Sequence, residues 1–121
     1  MSKFVLKKTN TGFKFDLKDD NGEPIASSEV YVTERACRQG IESVRTCSAG
    51  GVEDQTVEGF ETLKHPKFEV YVDKAGEFRF RLKAKNGLIV AVSEGYKEKP
   101  SCLSAIEKIK EYAPEAELEA E

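Results

Sequence analysis

Most of the chain consists of two related copies of one segment. When the 121-residue sequence is aligned with itself at a displacement of 65, 13 of the 37 gap-free pairs between 13–49 and 78–114 are identical. A repeat constrains the fold more than any single motif, because each copy must build the same unit. A unit of about 50 residues rarely buries enough surface to fold alone, so we expect the two copies to share one core.

Each copy has the pattern of three strands followed by a helix. Apolar and polar residues alternate along the strands, and an Asn-Gly pair separates the second strand from the third in both copies. We expect two-residue hairpin turns there, because Asn and Gly both accept positive φ. The strands are predicted at 3–8, 13–19 and 24–28 in the first copy and at 67–72, 78–85 and 88–93 in the second.

The segment after the third strand predicts an amphipathic helix in each copy. Thr33 is the predicted N-cap of the first helix, and Pro100 falls in the first turn of the second, which should end near Pro114. Neither helix can bury its apolar stripe alone, so both are expected on one face of a shared sheet. The predicted fold class is α+β, with two β-β-β-α(-β) repeats forming one antiparallel sheet with pseudo-twofold symmetry.

The charge changes sign along the chain. Residues 1–49 carry eight basic and seven acidic groups and residues 67–112 carry ten and seven, whereas 50–66 carries one basic and four acidic groups. Each acidic segment is expected to pair at a sheet edge as an exchanged strand. The predicted divisions are a first repeat at 1–49, an acidic linker or exchanged strand at 50–66, a second repeat at 67–114 and an acidic tail or exchanged strand at 115–121.

Four evenly spaced cations lie on one strand of the second copy, in the run EFRFRLKAKNG. They make this strand a candidate nucleic-acid surface, since such surfaces use unpaired basic residues. We favour an ordinary solvated face, because the predicted hairpin sets Tyr71 across from Arg79 as a cation–aromatic contact and Glu69 across from Arg81 as an ion pair. The candidate nucleic-acid residues are Arg79, Arg81, Lys83 and Lys85.

The two copies share Phe-x-Phe-x-Leu-Lys, Asn-Gly, Ser-Glu-x-Tyr and Ile-Glu at a constant offset. This combination resembles the YegP-like family, a module of roughly fifty residues that is often found in tandem and has no known biochemical role. The resemblance implies two β-β-β-α-β units that form one sheet and exchange their last strands. It also implies a monomeric pseudo-dimer, and it brings no catalytic residues.

The Ser-Glu-x-Tyr motif is the polar group that both copies retain most fully. A carboxylate and a phenol at the end of the third strand are able to frame two related pockets for a ligand or partner. The alternative is structural, with Ser and Glu satisfying free backbone amides and the Tyr hydroxyl bonded to backbone. We favour the structural alternative. The candidate binding residues are Ser28, Glu29, Tyr31, Ser93, Glu94 and Tyr96.

Little in the sequence indicates catalysis. His65 is the sole histidine and is interpreted as a linker residue. Cys37 and Cys102 are interpreted as core residues. Cys47 is interpreted as an exposed thiol near a helix end, which offers weak support for redox or hydrolase chemistry. We predict no metal, no cofactor, no membrane span and a cytoplasmic location. The leading hypothesis is a non-enzymatic interaction or ligand-binding module for an unknown protein or small ligand, and the alternative is a nucleic-acid accessory protein.

Overall fold

The two copies form two units with the same succession of elements. The computed structural model of the protein describes residues 2–121. The first copy contains β1 (Lys3–Lys8), β2 (Phe13–Lys18), β3 (Pro24–Ser27), α1 (Glu34–Cys47) and β4 (Gly51–Asp54). The second contains β5 (Lys67–Val72), β6 (Phe78–Lys83), β7 (Ile89–Val92), α2 (Lys99–Tyr112) and β8 (Glu117–Ala120). The predicted α+β class is confirmed.

The eight strands form one sheet in which the copies exchange their last strands. The strand order is β4-β5-β6-β7-β3-β2-β1-β8, so β4 of the first copy pairs with β5 of the second and β8 pairs with β1. The six inner strands are antiparallel, but both exchanged strands pair in parallel, and the sheet is therefore mixed rather than purely antiparallel. A parallel neighbour needs a long connection, which residues 55–66 provide between β4 and β5.

The hairpin register agrees with the prediction, but the turns do not. Val70 lies opposite Phe80 as expected. Each turn between the second and third strands is a three-residue loop, closed in the first copy by the Asp19 N–H bonded to the Glu23 carbonyl at 2.9 Å. Within residues 2–121 only glycines have positive φ, +80° at Gly22, so Asn21 is not in the predicted conformation. A three-residue loop adds a bulge beside the turn, which shifts the register of the third strand.

One hydrophobic core lies between the sheet and both helices. Phe4 and Phe15 are fully buried with their rings 5.9 Å apart at 73°, and Phe68 and Phe80 repeat the same distance and angle in the second copy. Helix α1 contacts strands of both copies, β1 and β2 as well as β6 and β7. The core is therefore shared, and removal of any one of these rings should cost about 3–5 kcal/mol.

The helix ends follow the local sequence. The Thr33 Oγ1 accepts the N–H of Ala36 at 3.1 Å, which confirms the predicted N-cap. Helix α2 begins without a side-chain cap and has Pro100 in its first turn, where the missing N–H costs nothing. Neither of the two helices in the described part of the chain is long and apolar enough to cross a membrane.

Candidate functional site

Two clefts of similar construction lie between the copies, one beside each Ser-Glu-x-Tyr motif. The first cleft has a volume of about 580 Å³ and lies between Glu29, Tyr31 and α1 of the first copy and the turn 84–88 of the second. The second cleft, of about 500 Å³, lies between Glu94, Tyr96 and α2 and the turn at 19–23. The fold thus brings the motif of each copy to the hairpin turn of the other.

The serines of the motif have a structural role. The Ser28 Oγ accepts the N–H of Phe15 at 2.9 Å and donates to the Glu29 carbonyl at 2.7 Å. Ser93 makes the same two hydrogen bonds in the second copy, at 2.9 and 2.8 Å. Both side chains are buried. They fix the corner at which the third strand leaves the sheet, as the structural alternative predicted.

The tyrosines of the motif do not make the hydrogen bond to backbone that the structural alternative supposed. The Tyr31 ring stacks on Phe15, with centroids 6.4 Å apart, and its hydroxyl lies over Gly40, where a Cβ would collide with it. Neither the Tyr31 nor the Tyr96 hydroxyl hydrogen-bonds to another group in the described chain. Burial and the nearby Glu94 raise the pKa of Tyr96 to about 12, and burial and Glu29 also raise that of Tyr31. Both phenols therefore stay protonated at neutral pH and remain available as donors.

The glutamates of the motif are exposed at the clefts. Neither Glu29 nor Glu94 forms an ion pair with any of residues 2–121, and neither caps a backbone amide as the structural alternative supposed. Each carboxylate helps to raise the pKa of the tyrosine beside it. Each cleft thus has the exposed glutamate of its motif beside a protonated tyrosine.

The second cleft is bridged by side chains, and the first is not. Lys108 Nζ on α2 lies 3.6 Å from Asp19 Oδ2 in the facing turn, and the Tyr112 hydroxyl donates to Asp20 at 3.2 Å. These two contacts tie α2 to the turn of the first copy. The positions of the first cleft that correspond to these four residues hold Ser43, Ala84, Cys47 and Lys85. The first cleft therefore lacks an equivalent bridge in the described chain.

The two clefts also differ in their apolar surface. Leu88 is 65% exposed and Ile89 is 44% exposed, and both line the first cleft. The corresponding residues of the second cleft are Glu23 and Pro24. Large apolar side chains that stay in water beside a cleft are a recognised feature of binding surfaces. The first cleft is thus the more suitable of the two for an apolar group.

The basic strand of the second copy is largely neutralised. Arg79 pairs with Asp73 at 2.5 Å, and Glu69 pairs with Arg81 at 2.6 Å and with Lys83 at 3.3 Å. Lys85 has no ion-pair partner among the residues described. The predicted pair of Glu69 and Arg81 is confirmed. The predicted contact of Tyr71 with Arg79 is wrong, because the Arg81 guanidinium lies over that ring at 4.4 Å while Arg79 turns to the nearby aspartate.

A buried charge network lies beneath the linker, and the sequence did not predict it. Lys67 Nζ is 2.6 Å from Glu53 Oε1 and 3.2 Å from Glu69 Oε2, and all three residues are at least 97% buried. Glu53 also accepts the backbone N–H of Leu63 and the side-chain amide of Gln55, each at 2.7 Å. Burial by itself raises the pKa of Glu53, but the hydrogen bonds from Lys67, Gln55 and Leu63 lower it to about 2.

The remaining candidates lie outside both clefts. Cys47 is 7% exposed, so the prediction of an exposed thiol is wrong; the residue turns inward at the end of α1. Cys37 and Cys102 are buried as expected, and burial raises the pKa of Cys102 to about 11. His65 lies in the linker. No group of three or more His, Cys, Asp or Glu residues in the described chain is placed to hold a metal ion.

Comparison with known proteins places both copies in one group. The model of the domain of unknown function DUF1508 matches residues 4–53 and again 73–119. A UPF0339 protein of Pseudomonas aeruginosa is 36% identical over 121 residues, which are 99% of this chain and 97% of the relative. A UPF0339 protein of Methanosarcina acetivorans is 54% identical over 52 residues, 43% of this chain but 90% of the relative. Relatives with one or two copies therefore both exist.

The fold has also been solved in a relative. The solution NMR structure of YegP, a protein of unknown function from E. coli, superposes with a TM-score of 0.80 at 29% sequence identity. The match covers 98% of this chain and 91% of that one. The predicted resemblance to the YegP-like family is thereby confirmed.

Proposed function

The chain belongs to the DUF1508 family of domains of unknown function, and from that premise we propose that it is a non-enzymatic binding module that holds a ligand or partner in the first cleft. The observation that carries the proposal is the contrast between the clefts. Each cleft is built from residues of both copies. The first cleft has the exposed side chains of Leu88 and Ile89. The second cleft is spanned by the Asp19–Lys108 ion pair, which the first cleft lacks in the described chain. An open cleft with an apolar wall and a few convergent polar groups is a typical binding site.

The non-enzymatic part of the proposal rests on the state of the reactive groups. The Ser28 and Ser93 hydroxyls already donate to backbone carbonyls and accept from backbone amides. Cys47 is buried, and a nucleophile must reach its substrate. The groups that line the first cleft include the Glu29 carboxylate and the protonated Tyr31 phenol, which are suited to holding a ligand by hydrogen bonds.

The geometry gives less support to nucleic-acid binding. Affinity for a phosphate backbone comes from cations that release counterions, and a cation held by a carboxylate contributes little. Arg79, Arg81 and Lys83 each have a carboxylate within 3.3 Å. The nucleic-acid alternative stays a prediction, and only Lys85 of the four candidates is without an ion-pair partner in the described chain.

We further propose that the module acts as a monomer in the cytoplasm. The exchange of β4 and β8 within one chain supports the first part, because a single-copy relative would need a second chain to complete the same sheet. The three free cysteines support the second part, since thiols stay reduced in that compartment. Sedimentation velocity tests the monomer directly, and a stable dimer would contradict it.

The binding proposal is tested by NMR with a fragment library. Fragments carrying a branched alkyl or aromatic group should shift the backbone amides of Tyr31, Gln39, Leu88 and Ile89 in a saturable way. The Leu88→Ser variant should fold normally, because the side chain is mostly in water, and should lose these shifts. Val57→Ser is the matched control at a linker residue that is 49% exposed and does not line the cleft. Absence of saturable shifts at the first cleft would refute the proposal.

A further inference from the structure

We propose that the first cleft binds an extended segment of a protein partner that presents a lysine or arginine next to a leucine or isoleucine. This inference rests on the proposed function and adds the chemistry of the occupant. It follows from the charge, the apolar surface and the hydrogen-bond donors of the cleft.

The charge of the first cleft favours a cation. Glu29 is exposed and has no ion pair within residues 2–121. The basic group that lines the cleft, Lys83, is held by Glu69 at 3.3 Å and so does not neutralise it. Glu29 is therefore the one carboxylate among the residues that line the first cleft, and it has no ion-pair partner within residues 2–121. A positively charged side chain of the partner would supply the missing charge.

The apolar surface of the first cleft favours a branched aliphatic neighbour. Leu88 and Ile89 project from the β6–β7 turn, with the Tyr31 ring on the opposite wall. Burial of an aliphatic side chain between them removes apolar area from water on both partners. The second cleft has no such exposed pair, because Glu23 and Pro24 stand at those positions.

The hydrogen-bond donors of the first cleft favour a peptide over a lone amine. The Tyr31 hydroxyl is protonated and has no partner in the described chain. The Asn86 Oδ1 accepts the N–H of Leu88 at 3.0 Å, which leaves the amide NH₂ of Asn86 free to donate. Gln39 on α1 carries a second amide at the cleft. Carbonyls spaced along an extended peptide can accept hydrogen bonds from these donors.

The second cleft provides the internal comparison. Its cation, Lys108, is already supplied by α2 and pairs with Asp19 across the cleft. The backbone N–H groups of Asn21 and Glu23 also bind the Asp19 carboxylate, at 2.9 and 3.0 Å. Lys108 thus spans the second cleft where the first cleft has Ser43, while Glu94, like Glu29, has no ion pair within residues 2–121.

Three capped peptides that differ in one side chain test the inference. The probes are acetyl-Gly-Leu-Lys-Gly-amide, its Glu analogue and its Gln analogue, titrated into ¹⁵N-labelled full-length protein at low and at high salt. Their dissociation constants are read from the amides of Tyr31, Leu88 and Ile89. The Lys peptide should bind about five- to tenfold more tightly than the Glu peptide at low salt, and the preference should weaken at high salt.

Two matched variants assign the preference to one carboxylate. Glu29→Gln should reduce the preference for Lys over Glu to about twofold or less, because the attractive charge is gone. Glu94→Gln changes the corresponding residue of the second cleft and should leave the preference intact. Loss of the preference in Glu94→Gln rather than in Glu29→Gln would overturn the inference.

The outcomes also separate this inference from the proposed function. Equal affinity for all three peptides, with shifts confined to the first cleft, would overturn the cation requirement and leave the binding module standing. Tighter binding of the Glu peptide would do the same. Absence of any shift at the first cleft, with these peptides and with the fragments, would overturn both.

Discussion

The protein makes the same lysine–glutamate pair twice, once buried and once in water. Lys67 on β5 pairs with Glu53 on β4 at 2.6 Å, and the corresponding Lys3 on β1 pairs with Glu119 on β8 at 3.1 Å. The side chains of the first pair are 4% and 2% exposed, whereas those of the second are 39% and 51% exposed. The backbone positions are equivalent, because each pair joins an exchanged strand to its parallel neighbour.

The linker accounts for the difference. Residues 55–66 follow β4, and Leu63 donates its backbone N–H to Glu53. The Gln55 side chain bridges Glu53 at 2.7 Å and Arg81 at 3.4 Å. No segment of the described chain binds Glu119 in this way. The comparison shows that the position in the sheet determines which charges pair, and that the covering segment determines how much each pair contributes to stability. A buried charge that loses its partner is far more costly than an exposed one.

The largest effect is expected when the lysine of each pair is replaced. Lys67→Met leaves the buried carboxylate of Glu53 without its cation, although Glu69 keeps Arg81 and Lys83, and should lower the free energy of unfolding by about 3–5 kcal/mol. Lys3→Met removes an exposed pair and should cost less than about 1 kcal/mol. Urea unfolding followed by circular dichroism measures both, with the milder Lys67→Arg as a fallback if Lys67→Met does not fold. Similar losses for the Met variants would contradict the comparison.

A smaller effect is expected in the pH dependence of stability. The folded pKa of Glu53 is about 2, below its ordinary value of 4.5, so its contribution is present above pH 4.5 and is lost as the pH falls towards 2. The loss should reach about 2–3 kcal/mol over that window. The difference between wild-type and Glu53→Gln unfolding free energies should therefore shrink with acidification. Glu119→Gln is the control, and the same pH-dependent difference in that variant would argue against the role of burial.

The smallest effect is expected from the linker contact itself. Gln55→Ala removes one of the donors to Glu53 and should cost about 1 kcal/mol. It should also move the acid transition to a higher pH, because the Glu53 carboxylate loses a hydrogen bond that lowers its pKa. Glu58→Ala, at an exposed linker position, should change stability by less than about 0.5 kcal/mol. An unchanged acid transition in Gln55→Ala would show that this linker contact does not lower the pKa of Glu53.

Much of the fold was predictable because it is encoded locally and then repeated. Alternation in 67–72 and 78–83 fixed the register that sets Val70 opposite Phe80, and the Thr33 N-cap marked the start of α1. The turn geometry was not predictable to the same degree, because Asn-Gly suits both a two-residue loop and a three-residue loop with Gly in the left-handed region. The parallel pairing of the exchanged strands had no local signal, since it depends on how far the linker carries the chain.

The candidate site was predicted only in outline. The shared Ser-Glu-x-Tyr motif pointed to two related pockets, and two clefts lie beside it. Its serines turned out to be structural, and the sequence did not indicate that Leu88 and Ile89 would stay exposed or that Asp19 would bridge to Lys108. The Asp19–Lys108 contact joins residues of different copies, so no pattern within one copy can reveal it.

The sequence by itself determined the repeat, the order of elements and the side chains that enter the core, because periodicity within a few residues decides which face of a strand or helix is apolar. The tertiary structure alone decided which of two equivalent ion pairs is covered and which of two equivalent clefts is bridged. Both decisions depend on contacts between residues distant in sequence, such as Asp19 with Lys108, or on the path of a linker with no regular structure. Chain entropy opposes such long-range contacts, and only the assembled core brings their partners within reach.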